Sequence, residues 1–169
     1  MARAEKLIPF ILKWEGGYVN DPIDKGGATN KGITIGTYRH FYGKDKTIDD
    51  LKAMTQAQWE KIFMAGYWQP FKATAIKSQG IANIVVDWAW ASGATSAIRN
   101  VQKVLGVTID GIVGDETLTA INRTDSKELF ERIKTARIDF VETIVKRSPS
   151  QKRFIKGWIN RINAIPYDN

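Results

Sequence analysis

The chain of 169 residues contains no cysteine and a single histidine, His40. The absence of cysteine excludes disulfides, thiol nucleophiles and thiolate metal sites. One histidine cannot form a multi-histidine metal site, and it argues against a Ser-His-Asp triad. His40 stands in YRHFY, where we expect a packed or a surface ring. Any catalysis by this chain therefore has to rest mainly on carboxylates, and we expect no metal and no organic cofactor.

Long apolar runs are also missing. No segment approaches the roughly 20 apolar residues that span a bilayer, so we expect no membrane insertion. The N-terminus, MARAEKLIPFILKWEGG, combines basic residues with a short apolar patch. That patch is interrupted by Pro9 and is followed by Trp14-Glu15 instead of a small-residue cleavage site. We therefore predict the first helix of the folded protein here, not a cleavable signal.

The charge balance is basic, with 25 Lys and Arg against 18 Asp and Glu and a formal net charge of +7. This excess favours polyanionic partners, namely nucleic acid, an anionic membrane surface or a bacterial cell wall, although it also serves solubility alone. No DNA-binding motif accompanies the charge, so we expect no specific nucleic-acid partner. The length fits one domain, or one catalytic body with a small lobe, and we expect a monomer.

Hydrophobic spacing predicts a mainly α-helical protein. Leu7, Ile11 and Trp14 place a first helix over residues 3–15, which Pro9 should start or kink. Thr55 and Ser78 are predicted N-caps of two further helices. The remaining predicted helices cover residues 94–105, 115–122, 126–147 and about 150–166.

Residues 16–36 break this helical pattern. Their clustered glycines and the turn signal Asn20-Asp21-Pro22 predict an irregular loop or a short hairpin, with one short strand at 33–35. The segment lacks the lysine and hydroxyl residue of a phosphate loop and the alternating ligands of a calcium loop. Long irregular segments in compact domains are often functional.

Glu15 stands at the junction of the first helix and this loop. The negative end of the helix dipole and the neighbouring Trp14 and Tyr18 should favour its protonated form, as a general acid at a glycosidic oxygen requires. If the loop folds back, Asp24 can face Glu15 across a cleft, and paired carboxylates are what glycoside hydrolysis needs. Asp21 is the competing second carboxylate.

Two stretches, EGGYVNDP at 15–22 and GGATNKGIT at 26–34, together with Asp24, resemble the signature of glycoside hydrolase family 108. This family consists of bacterial and prophage N-acetylmuramidases, some described as secretion activators. The resemblance implies a lysozyme-like helical fold and Glu15 as catalytic acid, with supporting roles for Asp24 and Thr29. The spacing from Asp24 to Thr29 is one residue shorter than in the best-known phage lysozymes.

Candidate substrate contacts come from the same loop and from Trp68, whose position before Pro70 predicts a second loop that could line a groove. Glycines allow close backbone approach to a sugar, and flat aromatic rings suit the apolar faces of sugars. The candidates are Tyr18, Asn20, Gly27, Asn30 and Trp68. We interpret Trp59, Trp88, Trp90 and Trp158 as packing residues.

The C-terminal half resembles the predicted peptidoglycan-binding segment of the same family, through VQKVLGV at 101–107, DGIVG at 110–114 and Thr117. Asp110 and Gly111 are its candidate glycan contacts, or they merely connect two packed helices. The chain departs from the expected pattern near Ala91, where an asparagine is absent. We place the muramidase region at 1–92 and the peptidoglycan-binding region at 93–169, packed into one unit.

These observations together predict an N-acetylmuramidase that cleaves the β-1,4 bond between N-acetylmuramic acid and N-acetylglucosamine in peptidoglycan glycan strands. The alternatives are a non-catalytic peptidoglycan-binding or secretion-accessory protein and, less favoured, a basic nucleic-acid binder. We expect synthesis in the bacterial cytoplasm and action at the cell wall or in the periplasm after holin-type or dedicated export.

Overall fold

The computed structural model describes residues 1–21 and 26–168, and its architecture is mainly helical, as predicted. The described part holds nine α-helices and three short strands. The helices are α1 (Ala4–Trp14), α2 (Ile35–Tyr42), α3 (Ile48–Lys52), α4 (Gln56–Phe63), α5 (Gln79–Ser92), α6 (Ala94–Leu105), α7 (Asp115–Arg123), α8 (Ser126–Arg147) and α9 (Lys152–Ala164).

The chain divides into two compact units, one formed by Glu5–Gly66 and the other by Met1–Ala4 with Tyr67–Asn169. This division lies at a different place from the predicted regions 1–92 and 93–169, which remain a prediction about the sequence. The small unit contains the sheet and the loop after α1. The large unit contains α5 to α9.

Helix α1 forms because Leu7 and Ile11, four residues apart, are both fully buried on one face. Pro9 lies inside the helix and is exposed, so of the two predicted effects, starting or kinking the helix, the first is wrong. A proline at this position removes one backbone donor. The buried leucine and isoleucine on either side of it provide the packing that holds the helix in place.

A three-stranded antiparallel sheet follows α1, with β1 (Tyr18–Asn20), β2 (Ala28–Asn30) and β3 (Ile33–Thr34) adjacent in chain order. The turn between β2 and β3 consists of Lys31 and Gly32, which have φ of 49° and 82°. Positive φ at both central residues is the requirement of the hairpin turn that matches strand twist. The predicted strand at 33–35 is one residue shorter than expected, because Ile35 already begins α2.

Local capping explains the helices that follow. Thr34 accepts a hydrogen bond from the N–H of Thr37 and starts α2, and Thr47 forms a reciprocal capping box with Asp50 at the start of α3. Helical periodicity in residues 35–52 did not predict these two helices. The cap predicted at Thr55 is confirmed, and α4 continues into a π-helical turn at Met64–Trp68.

Helix α5 is the centre of the large unit, since every residue from Gln79 to Ala89 is buried, and it packs against α6 and α8. Its predicted cap Ser78 is confirmed by a hydrogen bond from the N–H of Ile81. Helix α7 begins at Asp115, as the predicted range 115–122 has it, and its N-cap is Gly114. Ser150 lies in a 3-10 turn that precedes α9.

Candidate active site

Glu15 directly follows α1, and its N–H donates to the carbonyl of Ile11 at 2.9 Å, which continues the helical pattern by one residue. The residue is half-buried. A side chain added at Gly16 or Gly17 would meet no atom of the described residues within 4 Å, so with respect to that part of the chain the backbone beside the glutamate borders open space. Glu15 is thus a carboxyl group on a fixed helix end beside space that a ligand can enter.

Trp14 lies next to this position and is 38% exposed, an unusual exposure for so large an apolar side chain. Its ring centre is 6.2 Å from that of Phe10, one helical turn earlier. The pair forms a partly exposed aromatic surface on the last turns of α1. The sequence predicted Trp14 as a residue of the helix face and as an apolar neighbour of Glu15, but it did not predict that the ring would be this exposed.

The register of the sheet separates the candidate residues into two faces. Tyr18 pairs with Asn30, Val19 with Thr29, and Asn20 with Ala28. Because paired residues share a face and neighbours alternate, Val19 and Thr29 lie on one face, and the other candidates lie on the opposite one. Ala28 and Asn30 are buried, so the face of Val19, which is 53% exposed, is the open one. Thr29 is the candidate that shares this open face.

Three further candidates, Tyr18, Asn20 and Asn30, lie on the opposite face of the sheet. The side-chain amide of Asn30 is buried and donates to the carbonyl of Leu51 at 2.9 Å, so this asparagine joins the sheet to α3. The ring of Tyr18 is half-buried with the Lys52 ammonium 4.6 Å from its centre. Asn20 is exposed. Of these three residues, Asn30 has a structural role, whereas Asn20 and part of Tyr18 are accessible to solvent.

Gly27 precedes β2 with a φ of 70°, a conformation that favours glycine, and a side chain there would meet no described residue within 4 Å. Its role as a substrate contact stays a prediction. Asp24, the predicted second carboxylate, lies outside the described residues. Its competitor Asp21 is described and exposed.

The prediction that Trp68 contacts the substrate is wrong. Its ring is 1% exposed, and its indole N–H donates to the hydroxyl of Thr74 at 2.9 Å. We expected a loop before Pro70 that would line a groove, but the residue ends the π-helical turn and points into the core. A buried ring has no free face for a sugar, so Trp68 is a packing residue.

The candidate pair Asp110 and Gly111 forms a turn organised by Gln102 of α6, which is fully buried. The Gln102 carbonyl accepts from the N–H groups of both residues, at 3.1 and 2.9 Å. Asp110 accepts from the N–H of Ile112 and from the Gln102 amide, and these bonds hold the pKa of its carboxyl below the ordinary value. The turn is exposed but internally hydrogen-bonded. Sequence reasoning missed Gln102, although a polar residue on the apolar stripe of α6 was a signal.

A second missed group is a buried ion-pair cluster. Asp87 of α5 is fully buried and pairs with Arg137 of α8 at 3.0 Å and with Arg161 of α9 at 2.8 Å. Both arginines lie in a basic C-terminal stretch, for which a solvated helix face is the default prediction. Arg137 is instead 4% exposed, so the cluster ties three helices of the large unit together.

Among the described residues, no group of three or more acidic or histidine side chains is arranged to hold a metal ion. The described helices likewise include none with both the length and the apolar character to cross a membrane.

A helical, lysozyme-like protein with a glutamate at the end of its first helix and a small sheet after it is the class that these features define. A family model for glycosyl hydrolase 108 matches residues 8–93, and one described as Predicted Peptidoglycan domain matches residues 96–163. The chain belongs to glycoside hydrolase family 108, as its motifs predicted. It is a peptidoglycan-active protein of the hydrolase or binder type, and its place of action is the cell wall.

The fold is similar to the solved structure of SagA from Brucella abortus, with a TM-score of 0.80 and 28% sequence identity. The match covers 98% of this chain and 96% of SagA. A comparison with curated proteins found no match.

Proposed function

We propose that the protein is an N-acetylmuramidase that cleaves the β-1,4 bond between N-acetylmuramic acid and N-acetylglucosamine. Glu15 protonates the leaving glycosidic oxygen. Asp24 positions or activates water, or stabilises the positive charge that develops on the sugar, and Thr29 assists it. The protein works as a monomer at the cell wall after holin-type or dedicated export.

The observation that carries this proposal is the position of Glu15. It is a half-buried residue held by the last turn of α1, next to two glycines at which no other described residue comes close. A general acid has to reach the oxygen between two bulky sugar rings. Its side chain therefore needs a rigid backbone attachment and free space in front of its carboxyl group. Glu15 also lies inside the segment matched by the hydrolase family model.

Substrate contacts around Glu15 fall to the accessible candidates. Val19 and Thr29 present the open face of the sheet, and Gly27 allows close approach of a sugar to the backbone. Tyr18 and Asn20 contribute from the edge of the other face. In the region of the peptidoglycan-domain match, the exposed turn at Asp110 and Gly111 is the proposed second contact with glycan strands.

The test is Glu15→Gln, which keeps the shape of the side chain and removes its proton-donating acid. We expect the release of muropeptides from purified sacculi to fall by roughly 10²-fold or more, the usual contribution of a general acid. Glu60→Gln, at an exposed glutamate of α4 in the same unit, is the matched control and should leave activity unchanged. Undiminished release by Glu15→Gln would overturn the assignment.

The sugar at the reducing end of the released fragments tests the bond. Muramic acid there supports a muramidase, whereas glucosamine would contradict the proposed specificity. Asp24→Asn and Asp21→Asn, compared in the same assay, identify the second carboxylate: we expect the larger loss at Asp24. If wild-type protein binds sacculi and releases no fragments, the non-catalytic binder is the correct function.

A further inference from the structure

A cavity of about 140 Å³ lies between α5, α8 and α9 in the large unit. Its wall is mostly apolar and includes Trp88, Phe140, Ile144 and Trp158. Trp88 and Phe140 meet edge to face with ring centres 5.7 Å apart. The volume equals about five waters and is well below the roughly 300 Å³ at which pockets for larger ligands begin, so only a small group fits.

The polar part of the wall comprises Ser92 and two guanidinium groups, those of Arg137 and Arg161. Arg137 donates through its Nη1 to Asp87 at 3.0 Å and to the carbonyl of Ile84 at 3.4 Å. Its Nε and Nη2 form no hydrogen bond with any described residue. Yet among those residues every fully buried side-chain nitrogen or oxygen has a partner. The two nitrogens therefore retain some accessible surface, and Arg137, although only 4% exposed, is one of the residues that line the cavity.

A guanidinium in this position favours an anionic ligand. Burial lowers the pKa of Arg137, while Asp87 opposes this effect, so desolvation of the cation is only partly offset within the protein. A carboxylate fits the remaining donors in the fork geometry that arginine offers. The aromatic and aliphatic residues of the wall can then pack against a short apolar side chain next to that carboxylate.

We propose that this cavity binds the free α-carboxylate and short aliphatic side chain of a terminal amino acid, such as the D-alanine that ends an uncrosslinked peptidoglycan stem peptide. The inference rests on peptidoglycan being the partner of the proposed function. It adds a contact with the peptide part of the polymer, separate from the glycan contact at Glu15. Uncrosslinked wall, which carries such free ends, is then the preferred substrate.

The experiment is an NMR titration of the whole protein with N-acetyl-D-alanine, with the indole N–H signals of Trp88 and Trp158 as reporters. The neutral N-acetyl-D-alaninamide is the matched control ligand. We expect saturable shifts with the acid and affinity about tenfold or more weaker for the amide, because the amide lacks the charge-assisted hydrogen bonds. Equal binding of the two ligands, or no shift of either indole signal, would overturn the proposal.

Two variants locate the ligand without disturbing the buried cluster. Ala91→Phe, at an exposed residue that lines the cavity, should fill it and abolish binding. Ala164→Phe, at an exposed alanine of α9 that is not part of the wall, should bind as wild type. Wild-type affinity in Ala91→Phe would place the ligand elsewhere and contradict the inference.

The experiments can contradict this inference and the muramidase proposal independently of each other. Glu15→Gln should lose cleavage of sacculi and keep its affinity for N-acetyl-D-alanine. If cleavage by the wild type fails while binding persists, only the muramidase proposal falls. If cleavage is intact while N-acetyl-D-alanine does not bind, only the present inference falls.

Discussion

Gln102 and Asp110 hold each other by two hydrogen bonds. The Gln102 amide donates to the Asp110 carboxylate at 2.9 Å, and the Gln102 carbonyl accepts from the Asp110 N–H at 3.1 Å. The same glutamine also bonds the N–H of Gly111 and the carbonyl of Ile112. One buried side chain therefore takes the place of the backbone partners that a regular element would supply. It keeps an exposed turn in a single conformation.

Gln102→Leu should destabilise the protein by about 2–4 kcal/mol. The substitution preserves volume but leaves the N–H groups of Asp110 and Gly111 without their acceptor, and unsatisfied partly buried groups carry the larger share of such costs. Urea unfolding followed by circular dichroism measures the change. Gln56→Leu is the control, because Gln56 is an exposed glutamine whose amide donates to the Glu60 carboxylate at 3.2 Å. Equal losses in the two variants would contradict the role of Gln102.

The carboxyl of Asp110 should titrate below an ordinary aspartate. The N–H of Ile112 and then the Gln102 amide lower its folded pKa, so its contribution to stability is present above the unfolded pKa and is lost as the pH falls through the folded one. NMR titration of the side-chain carboxyl carbon measures this pKa. In Gln102→Leu the value should rise toward the ordinary one. A normal pKa in the wild type would show that these hydrogen bonds do not persist in solution.

Asp87→Asn should cost about 3–5 kcal/mol, because it removes the carboxylate from between two guanidinium groups in a fully buried position. The expected result is a lower urea midpoint with α5, α8 and α9 unfolding together. Asp139→Asn, at an exposed aspartate of α8, should change the midpoint little. A change at Asp87 no larger than at Asp139 would mean that the helices do not depend on the cluster.

Much of the helical framework followed from local sequence signals. The predicted helix at 94–105 has the same bounds as α6, because an amphipathic stripe and a terminal glycine coincide there. The caps at Thr55 and Ser78 were equally local. Helices α2 and α3 were missed since their capping residues, Thr34 and Thr47, begin segments too short to show helical periodicity.

The site depended on relationships that a single sequence does not contain. The motif identified Glu15, but only the strand register separates Thr29 on the open face from Asn30 on the buried one. Likewise, Trp68 and Arg137 were predicted to be accessible but are buried, because burial depends on how elements pack together. An arginine in a basic stretch predicts a solvated surface, and a carboxylate 50 residues earlier, Asp87, reverses that prediction.

Alanine substitutions at two glycines of the large unit allow the backbone cost of a side chain to be compared with its steric cost. Gly106 and Gly111 both have positive φ, 71° and 77°. An added methyl group at Gly106 meets nothing within 4 Å, whereas at Gly111 it comes within 3.0 Å of the methyl group of Thr95 and 3.1 Å of Arg99 Nε. Gly106→Ala should therefore lose only the left-handed backbone cost of about 1–2 kcal/mol.

Gly111→Ala pays that same backbone cost and must also displace the contacting side chains, so we expect a loss larger by about 1 kcal/mol. Unfolding in urea compares the two variants. In Gly111→Ala combined with Thr95→Ser, which removes the crowded methyl group, part of this excess should be recovered. Equal losses at the two glycines would show that Thr95 and Arg99 move aside freely. The turn at Asp110 would then be held by Gln102 alone, without support from α6 packing against Gly111.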